Sequence, residues 1–123
     1  MRAVTAERNR TTTAQGPRQS GRVVLLVVRV ITWNLWWRHG DFEERQRAIE
    51  DVLLSEQADV CCLQEVWANE NGDHQGRLIA ETLGYDLATT DGPFFNGWSV
   101  NNVVLSRFPI VTSSTTEIGR AHV

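Results

Sequence analysis

Apolar and polar positions change period several times along this chain, and the changes mark its elements. Val23-Val24-Leu25-Leu26-Val27-Val28 is a markedly apolar run, stopped by Arg29 and followed by Val30-Ile31-Thr32-Trp33-Asn34-Leu35. Its β-branched content predicts a buried strand from Arg22 to Leu35, or an extended lead-in followed by a strand. A membrane span needs about 20 such residues, so none is expected. The run is also short for a signal-peptide core and no small-residue cleavage site follows, so no signal is expected either.

Beyond it the period becomes helical. Gly40-Asp41 opens a helix that Asp41 caps, with Glu44 completing a capping box, and Ser55-Glu56 closes it. Phe42, Ala48, Ile49, Val52 and Leu53 form the expected core stripe, with Glu43, Arg47, Glu50 and Asp51 outward. Asp59-Val60-Cys61-Cys62-Leu63-Gln64 then reads as a second strand, followed by a polar loop from Trp67 to Gly72. Strand, helix, strand in this order predicts a βαβ unit with parallel strands and a right-handed crossover, both strands ending on the sheet edge where open α/β sheets place ligands. Asp73 is the expected cap of a second helix, His74 to Leu83, with Leu78, Ile79, Thr82 and Leu83 inward and Gly84 as its left-handed terminator. Tyr85 to Thr89 reads as a short strand. Thr90-Asp91-Gly92-Pro93 is a turn, and the loop around Phe94 to Gly97 exposes aromatics near Trp98. Asn102–Leu105 and Ile110–Ser113 are expected to pair as an antiparallel hairpin around Ser106-Arg107-Phe108-Pro109.

Charge divides the chain. Its 123 residues suit one domain, with 41% apolar residues to build a core. The net charge is −3, yet residues 1–22 carry Arg2, Arg8, Arg10, Arg18 and Arg22 against Glu7, a sum of +4 that leaves −7 for the rest. That segment lacks apolar periodicity and reads as a disordered basic N-terminal segment. The acidic remainder lacks the basic footprint of a protein that grips long nucleic acid. It suits a site that recruits a divalent cation to meet an anionic substrate. Cys61 and Cys62, adjacent in a strand, point to opposite faces and read as reduced thiols, which indicates a reducing, cytoplasmic setting.

The chemistry gathers at two strand ends. Alternation places Asn34 with Val30 and Thr32, and Glu65 with Asp59, Cys61 and Leu63. As neighbours in a βαβ unit, Asn34 and Glu65 can point into one crevice at the sheet edge. A carboxylate with a carboxamide oxygen suits a hard cation such as Mg²⁺, which takes one or two carboxylates and keeps its waters. On spacing alone the favoured reading is Asn34 as a turn former and Glu65 as a surface carboxylate. Trp33, Trp36 and Trp37 read as core and rim packing ahead of stacking on a substrate base or sugar, Arg38 as a solvated cation ahead of a contact to phosphate, His39 and His74 as surface or cap residues, and Ser106 and Arg107 as hairpin residues.

Three ordered stretches extend the reading: Val30-Ile31-Thr32-Trp33-Asn34-Leu35-Trp36-Trp37, Asp59-Val60-Cys61-Cys62-Leu63-Gln64-Glu65-Val66 and Asn102-Val103-Val104-Leu105-Ser106-Arg107-Phe108-Pro109-Ile110. Together they resemble the signatures of the endonuclease/exonuclease/phosphatase superfamily, the DNase I-like fold, over about Val30 to Ile118. The resemblance implies an α/β (α+β) fold, the first half of a four-layer α/β/β/α sandwich. It also implies a hydrolase of phosphoesters that uses Mg²⁺ or Mn²⁺ and attacks in line with an activated water. Carried over by position, Glu65 would bind the metal and Asn34 would orient Glu65 or the scissile phosphate, so both belong to the catalytic and metal site. Nucleic acid, nucleotides and phospholipid headgroups are all substrates on this fold, and no stable protein partner is indicated.

The family's Asp-x-Asn element and terminal Asp-His pair have no match here. Asp41, Asp51, Asp59, Asp73, Asp86 and Asp91 lack the neighbours, and His122 lies outside any such context. The expectation is therefore an N-terminal half, residues 23–117, without the catalytic base and inactive alone, with a non-native tail at 118–123. The competing expectation is a flavodoxin-like binding module without hydrolytic activity; the absence of a Gly-rich phosphate loop after either strand counts against it.

Overall fold

The structure, a computed structural model, describes residues 2–7 and 26–119. Its elements in chain order are β1 (Arg2–Glu7), β2 (Val30–Asn34), α1 (Phe42–Glu56), β3 (Val60–Asn69), α2 (Gln75–Leu83), β4 (Asp86–Thr89), β5 (Trp98–Ser106) and β6 (Thr112–Glu117). The main sheet has the order β2-β3-β5-β4, and β1 pairs with β6 in a second, two-stranded sheet. The βαβ start is present, with β2 parallel to β3 and Asn34 opposite Gln64. β5 then runs antiparallel to both β3 and β4. An inserted antiparallel strand rules out the doubly wound parallel sheet of the flavodoxin-like alternative.

One face of the main sheet carries the core. Cys61, Leu63 and Val66 from β3 and Val103 and Leu105 from β5 pack with Ile49 and Leu53 of α1 and Ile79 and Ala80 of α2, while Trp33 and Leu87 lie against this cluster. Burying large aliphatic side chains stabilises by roughly 1.5–3 kcal/mol each, so this face holds the domain together. The α1 stripe is narrower than expected. Ile49 and Leu53 are buried, but Ala48 and Val52 face solvent, because the helix turns Gln46 and Glu50 toward α2. There Gln46 Oε1 accepts from Gln75 Nε2 at 2.9 Å and Glu50 Oε1 accepts from Thr82 Oγ1 at 3.1 Å. The same contacts rotate α2, so Gln75, Gly76, Ile79 and Ala80 are buried while Leu78 and Thr82 stay exposed.

Helix ends follow local chemistry. Asp41 accepts the Glu44 N–H at 3.1 Å, the Asp41 half of the expected capping box. The cap of α2 is His74 rather than Asp73: its Nδ1 accepts the Gly76 N–H at 3.0 Å. Gly84, at φ 71°, terminates α2 as expected and donates to the Ala80 carbonyl at 2.8 Å.

Several boundaries differ from the sequence reading. The strand expected over 22–35 is regular only at Val30–Asn34; residues 26–29 are described outside it, and 22–25 lie outside the described residues. β3 runs through Glu65 to Asn69, taking Trp67, Ala68 and Asn69 out of the expected loop, because β5 begins at Trp98 and pairs with all of them. The antiparallel pair after the βαβ start is β4 with β5. The strand after Pro109 does not fold back on β5; β6 pairs with β1, from Arg2 opposite Glu117 to Glu7 opposite Thr112. Residues 2–7 of the segment expected to be disordered therefore form a strand, and 8–22 lie outside the described residues. β1 lies over β5 and β4 on the face away from the helices. The layers are helices, main sheet and small sheet. Among the described residues, no helix is long and apolar enough to cross a membrane.

Candidate active site

Asn34 and Glu65 share a sheet face, but not for the reason alternation gives. Paired residues lie on one face, so Asn34 goes with Gln64 and Trp33 with Leu63. Strict alternation would then place Glu65 with Leu63, under the helices and away from Asn34. The ladder prevents this. Leu63 pairs with Val103 and Val66 with Asn101, so two residues of β3, Gln64 and Glu65, oppose the single Asn102. That is a β-bulge, and its extra residue returns Glu65 to the face of Gln64 and Asn34. Glu65 accommodates it with φ +52°, in the left-handed region that disfavours a residue with a Cβ.

The segment after Asn34 is strained and pinned in the same place. Trp36 and Trp37 have φ of 61° and 48°. Asn34 Oδ1 accepts the Trp36 N–H at 2.9 Å, so Asn34 does form the turn that its position suggested. The Leu35 and Trp37 N–H groups donate to the Gln64 and Glu65 carbonyls, both at 2.9 Å, which ties this turn to the bulge. Arg45 on α1 holds the other side, donating to the His39, Trp37 and Trp36 carbonyls at 2.7, 3.0 and 3.4 Å. The other non-glycine residues with positive φ, Gln57 and Asn96, belong to a helix cap and a tight turn. Among the described residues, three of the five non-glycine residues with positive φ, Trp36, Trp37 and Glu65, therefore lie around Asn34 and Glu65, and of these Glu65 is the one inside a strand, the kind of strain found at functional sites.

Glu65 is half-buried, and among the described residues its carboxylate makes no hydrogen bond or ion pair, to Asn34 or to any other group. The nearby polar groups are otherwise occupied: Gln64 Nε2 donates to Thr32 Oγ1 at 3.0 Å and to the Cys62 carbonyl at 2.9 Å. Asn34 has committed one oxygen lone pair to Trp36, while its Nδ2 makes no hydrogen bond among the described residues. Among the described residues no three His, Cys, Asp or Glu side chains gather as a metal cluster. Burial raises the Cys62 thiol above its ordinary range, and burial with the neighbouring Cys62 pushes Cys61 up to about 11, so neither presents a thiolate.

Sequence reasoning missed the aromatic flank of this face. Trp67, two residues after Glu65, is buried and stacks edge-on with Trp98 at 5.7 Å and Phe42 at 6.1 Å between ring centroids. Trp37 Nε1 donates to the Ser99 carbonyl at 2.9 Å. Arg38, expected to be solvated, lies on the Trp98 ring, its Cζ 3.4 Å from the centroid. The signal was present in Trp67 and Trp98, but only the pairing of Asn69 with Trp98 brings them together.

Other candidates have structural duties. Asp59 accepts the Arg29 N–H at 2.8 Å and meets Arg107 at 3.3 Å. Ser106 Oγ accepts the Phe108 N–H at 3.1 Å. His74 has Nδ1 engaged as the cap acceptor and Nε2 3.2 Å from Thr89 Oγ1, which fixes the Nε2–H tautomer. Burial and then Arg77 lower its pKa. His74 lines a polar cavity of about 440 Å³ with Arg77, Asp91 and Asn101, apart from Asn34 and Glu65. Several of its walls are bonded to one another: Asn101 accepts from Thr90 Oγ1 at 3.2 Å and donates to Ser99 Oγ at 2.9 Å, and Asn69 donates to Asp73 at 2.9 Å. Volume does not single it out, since a cavity of about 450 Å³ opens beside Thr90, Pro93 and Val100. The strain and the uncommitted carboxylate favour the open face of Asn34 and Glu65.

Comparison with known proteins places this geometry in a family. Among solved structures, an endonuclease/exonuclease/phosphatase family protein from Leptotrichia buccalis is similar with a TM-score of 0.60 at 18% identity, over 70% of this chain and 39% of its own. The endonuclease/exonuclease/phosphatase from Beutenbergia cavernae is similar with a TM-score of 0.51 at 30% identity, over 69% of this chain and 27% of its own. The chain thus spans well under half the length of either structure. A search of curated proteins finds no match. The family model for the Endonuclease/Exonuclease/phosphatase family matches residues 31–122, which include both Asn34 and Glu65, and the chain belongs to that family.

Proposed function

We propose that these residues form the metal side of a Mg²⁺-dependent phosphoester hydrolase, with Glu65 as a direct metal ligand and Asn34 as its polar partner. The observation that carries the proposal is the bulge, which holds an uncommitted carboxylate in a strained backbone on the face of Asn34. The donor set fits a hard cation in part. One carboxylate with oxygen neighbours suits Mg²⁺ or Mn²⁺, which take oxygen ligands, and it does not suit zinc, which takes four Cys, His or carboxylate ligands.

Mg²⁺ held by Glu65 would supply charge neutralisation at the phosphoryl oxygens. Asn34 serves better as a donor than as a ligand. With Oδ1 accepting from Trp36, its Nδ2 is free to hold a phosphoryl oxygen or the Glu65 carboxylate. A general base for the attacking water, and the remaining metal ligands, would come from the portion of the longer enzyme outside these residues. The chain alone is then expected to show no turnover, because a water without a positioned base is poorly activated.

Calorimetric titration with Mg²⁺ tests the assignment. Wild type is expected to bind weakly, and Glu65→Gln and Glu65→Ala to lose that binding while keeping the wild-type circular dichroism. Equal binding by wild type and Glu65→Ala would overturn it. In the longer enzyme, Glu65→Gln is expected to abolish Mg²⁺-dependent hydrolysis.

A further inference from the structure

Among the described residues, Arg38 is the cation of this face that pairs with no carboxylate or carbonyl. Arg29 and Arg107 meet the carboxylates of Glu56 and Asp59 at 3.0 and 3.3 Å, and Arg45 is bonded to three carbonyls. Arg38 makes no hydrogen bond or ion pair among the described residues, although the chain is acidic overall. Its guanidinium instead lies on Trp98, with the rings of Phe42 and Trp37 at 5.1 and 5.6 Å.

Its Nε is buried without a partner, whereas its terminal nitrogens are not among the buried atoms. The only other buried side-chain nitrogens without a partner among the described residues are Arg45 Nε and Trp67 Nε1. All three belong to this one cluster, since Trp67 stacks on Trp98 and Arg45 holds the Trp36–Trp37 backbone. Burying polar hydrogens without acceptors costs stability, and here that cost falls within one cluster of two guanidinium groups and an indole.

The cluster adjoins Glu65 from two directions. Trp37, next to Arg38, donates its N–H to the Glu65 carbonyl, and Trp67, two residues beyond Glu65, supports the Trp98 ring beneath Arg38. A guanidinium fixed flat on an indole loses little rotamer freedom on binding, and its planar fork matches phosphate oxygens bidentately. Among the described residues the stacked guanidinium forms no ion pair with Glu65, so neither charge neutralises the other.

We propose that Arg38, laid on Trp98, is the phosphate-binding arm of this site and takes anionic phosphoryl oxygens of the substrate through its terminal nitrogens. The proposal deepens the phosphoesterase reading and rests on it for the substrate, but it does not depend on metal. A guanidinium that merely filled a gap between aromatic rings would show no saturable response to phosphate.

The test is a titration of the chain with inorganic phosphate in metal-free buffer at constant ionic strength, followed by the indole N–H resonances. Saturable shifts of Trp98 and Trp37 are expected in wild type. Arg38→Gln is expected to weaken the apparent affinity at least tenfold, and Arg38→Lys, which keeps the charge but not the fork, by a smaller factor. Unchanged wild-type spectra, or equal affinity in wild type and Arg38→Gln, would overturn the proposal. Should Arg38→Gln fail to fold, the wild-type titration and Arg38→Lys decide: equal affinities there overturn it too. The Mg²⁺ titration of Glu65→Ala is a separate readout, so the metal assignment can fail while phosphate binding at Arg38 stands.

Discussion

The functional reading depends on a backbone conformation, so the bulge is the place to perturb it. Glu65 sits at φ +52°. A residue with a Cβ pays about 1–2 kcal/mol there, whereas glycine pays none of that but gives up about 0.5–1 kcal/mol more chain entropy than alanine on folding. The difference predicts Glu65→Gly to be more stable than Glu65→Ala by about 0.5–1 kcal/mol. Comparing the two variants with each other, and not with wild type, cancels the loss of the carboxylate. Gln64, the adjacent residue of the bulge, has no positive φ. Gln64→Gly should therefore be less stable than Gln64→Ala by about 0.5–1 kcal/mol, with the opposite sign. In a domain of this size about 1 kcal/mol moves Tm by roughly 4–8 °C, so both differences are measurable. Urea denaturation followed by tryptophan fluorescence gives the midpoints, provided the m-values agree across the set. Glycine less stable than alanine at both positions would mean that Glu65 is not left-handed. The bulge would then be absent, Glu65 would fall on the face of Leu63, and the pairing with Asn34 would go with it.

Two further outcomes follow from the same structure. Asp59→Ala is expected to cost about 2 kcal/mol, since a buried carboxylate that accepts the Arg29 N–H at 2.8 Å and faces Arg107 ties the start of β3 to two other segments; a urea midpoint within error of wild type would contradict this. His74 has a folded pKa below its ordinary value, through burial first and Arg77 second. The unfolded chain then binds the proton more readily, so the stability His74 provides is present above the unfolded pKa, about 6.5, and is lost as pH falls through the folded one. His74→Asn, which retains a capping side chain, should flatten the Tm profile as pH falls below about 6.5; an unaltered slope would rule His74 out as its source.

The elements that were legible in the sequence are those set by local chemistry. Asp41 and Gly84 mark helix ends because their caps satisfy backbone groups one turn away. Val60 to Leu63 and Val103 to Leu105 read as strands because their pattern fits a half-buried pleat. The family resemblance, too, was carried by short contiguous stretches. The helix stripes were less legible: Ala48, Val52 and Leu78 are apolar at helical spacing, yet polar contacts between α1 and α2 rotate them outward.

What the chain could not state by itself is how distant segments pair. Nothing local tells Thr112–Glu117 to join Arg2–Glu7 instead of β5, since strand pairing is decided by competition among edges after the chain collapses. The site shows the same division. Asn34 and Glu65 were identifiable as residues, but the alternation that appeared to bring them together would, in the actual register, have kept them apart. A two-against-one mismatch between β3 and β5 puts them on one face, and it exists only once Val103 and Asn101 have docked on Leu63 and Val66. Arg38 likewise reads as a solvated charge until β5 carries Trp98 beneath it. Sequence determined the chemical groups and the local turns around them; tertiary pairing decided which face they share, because register is a property of two strands and not of one.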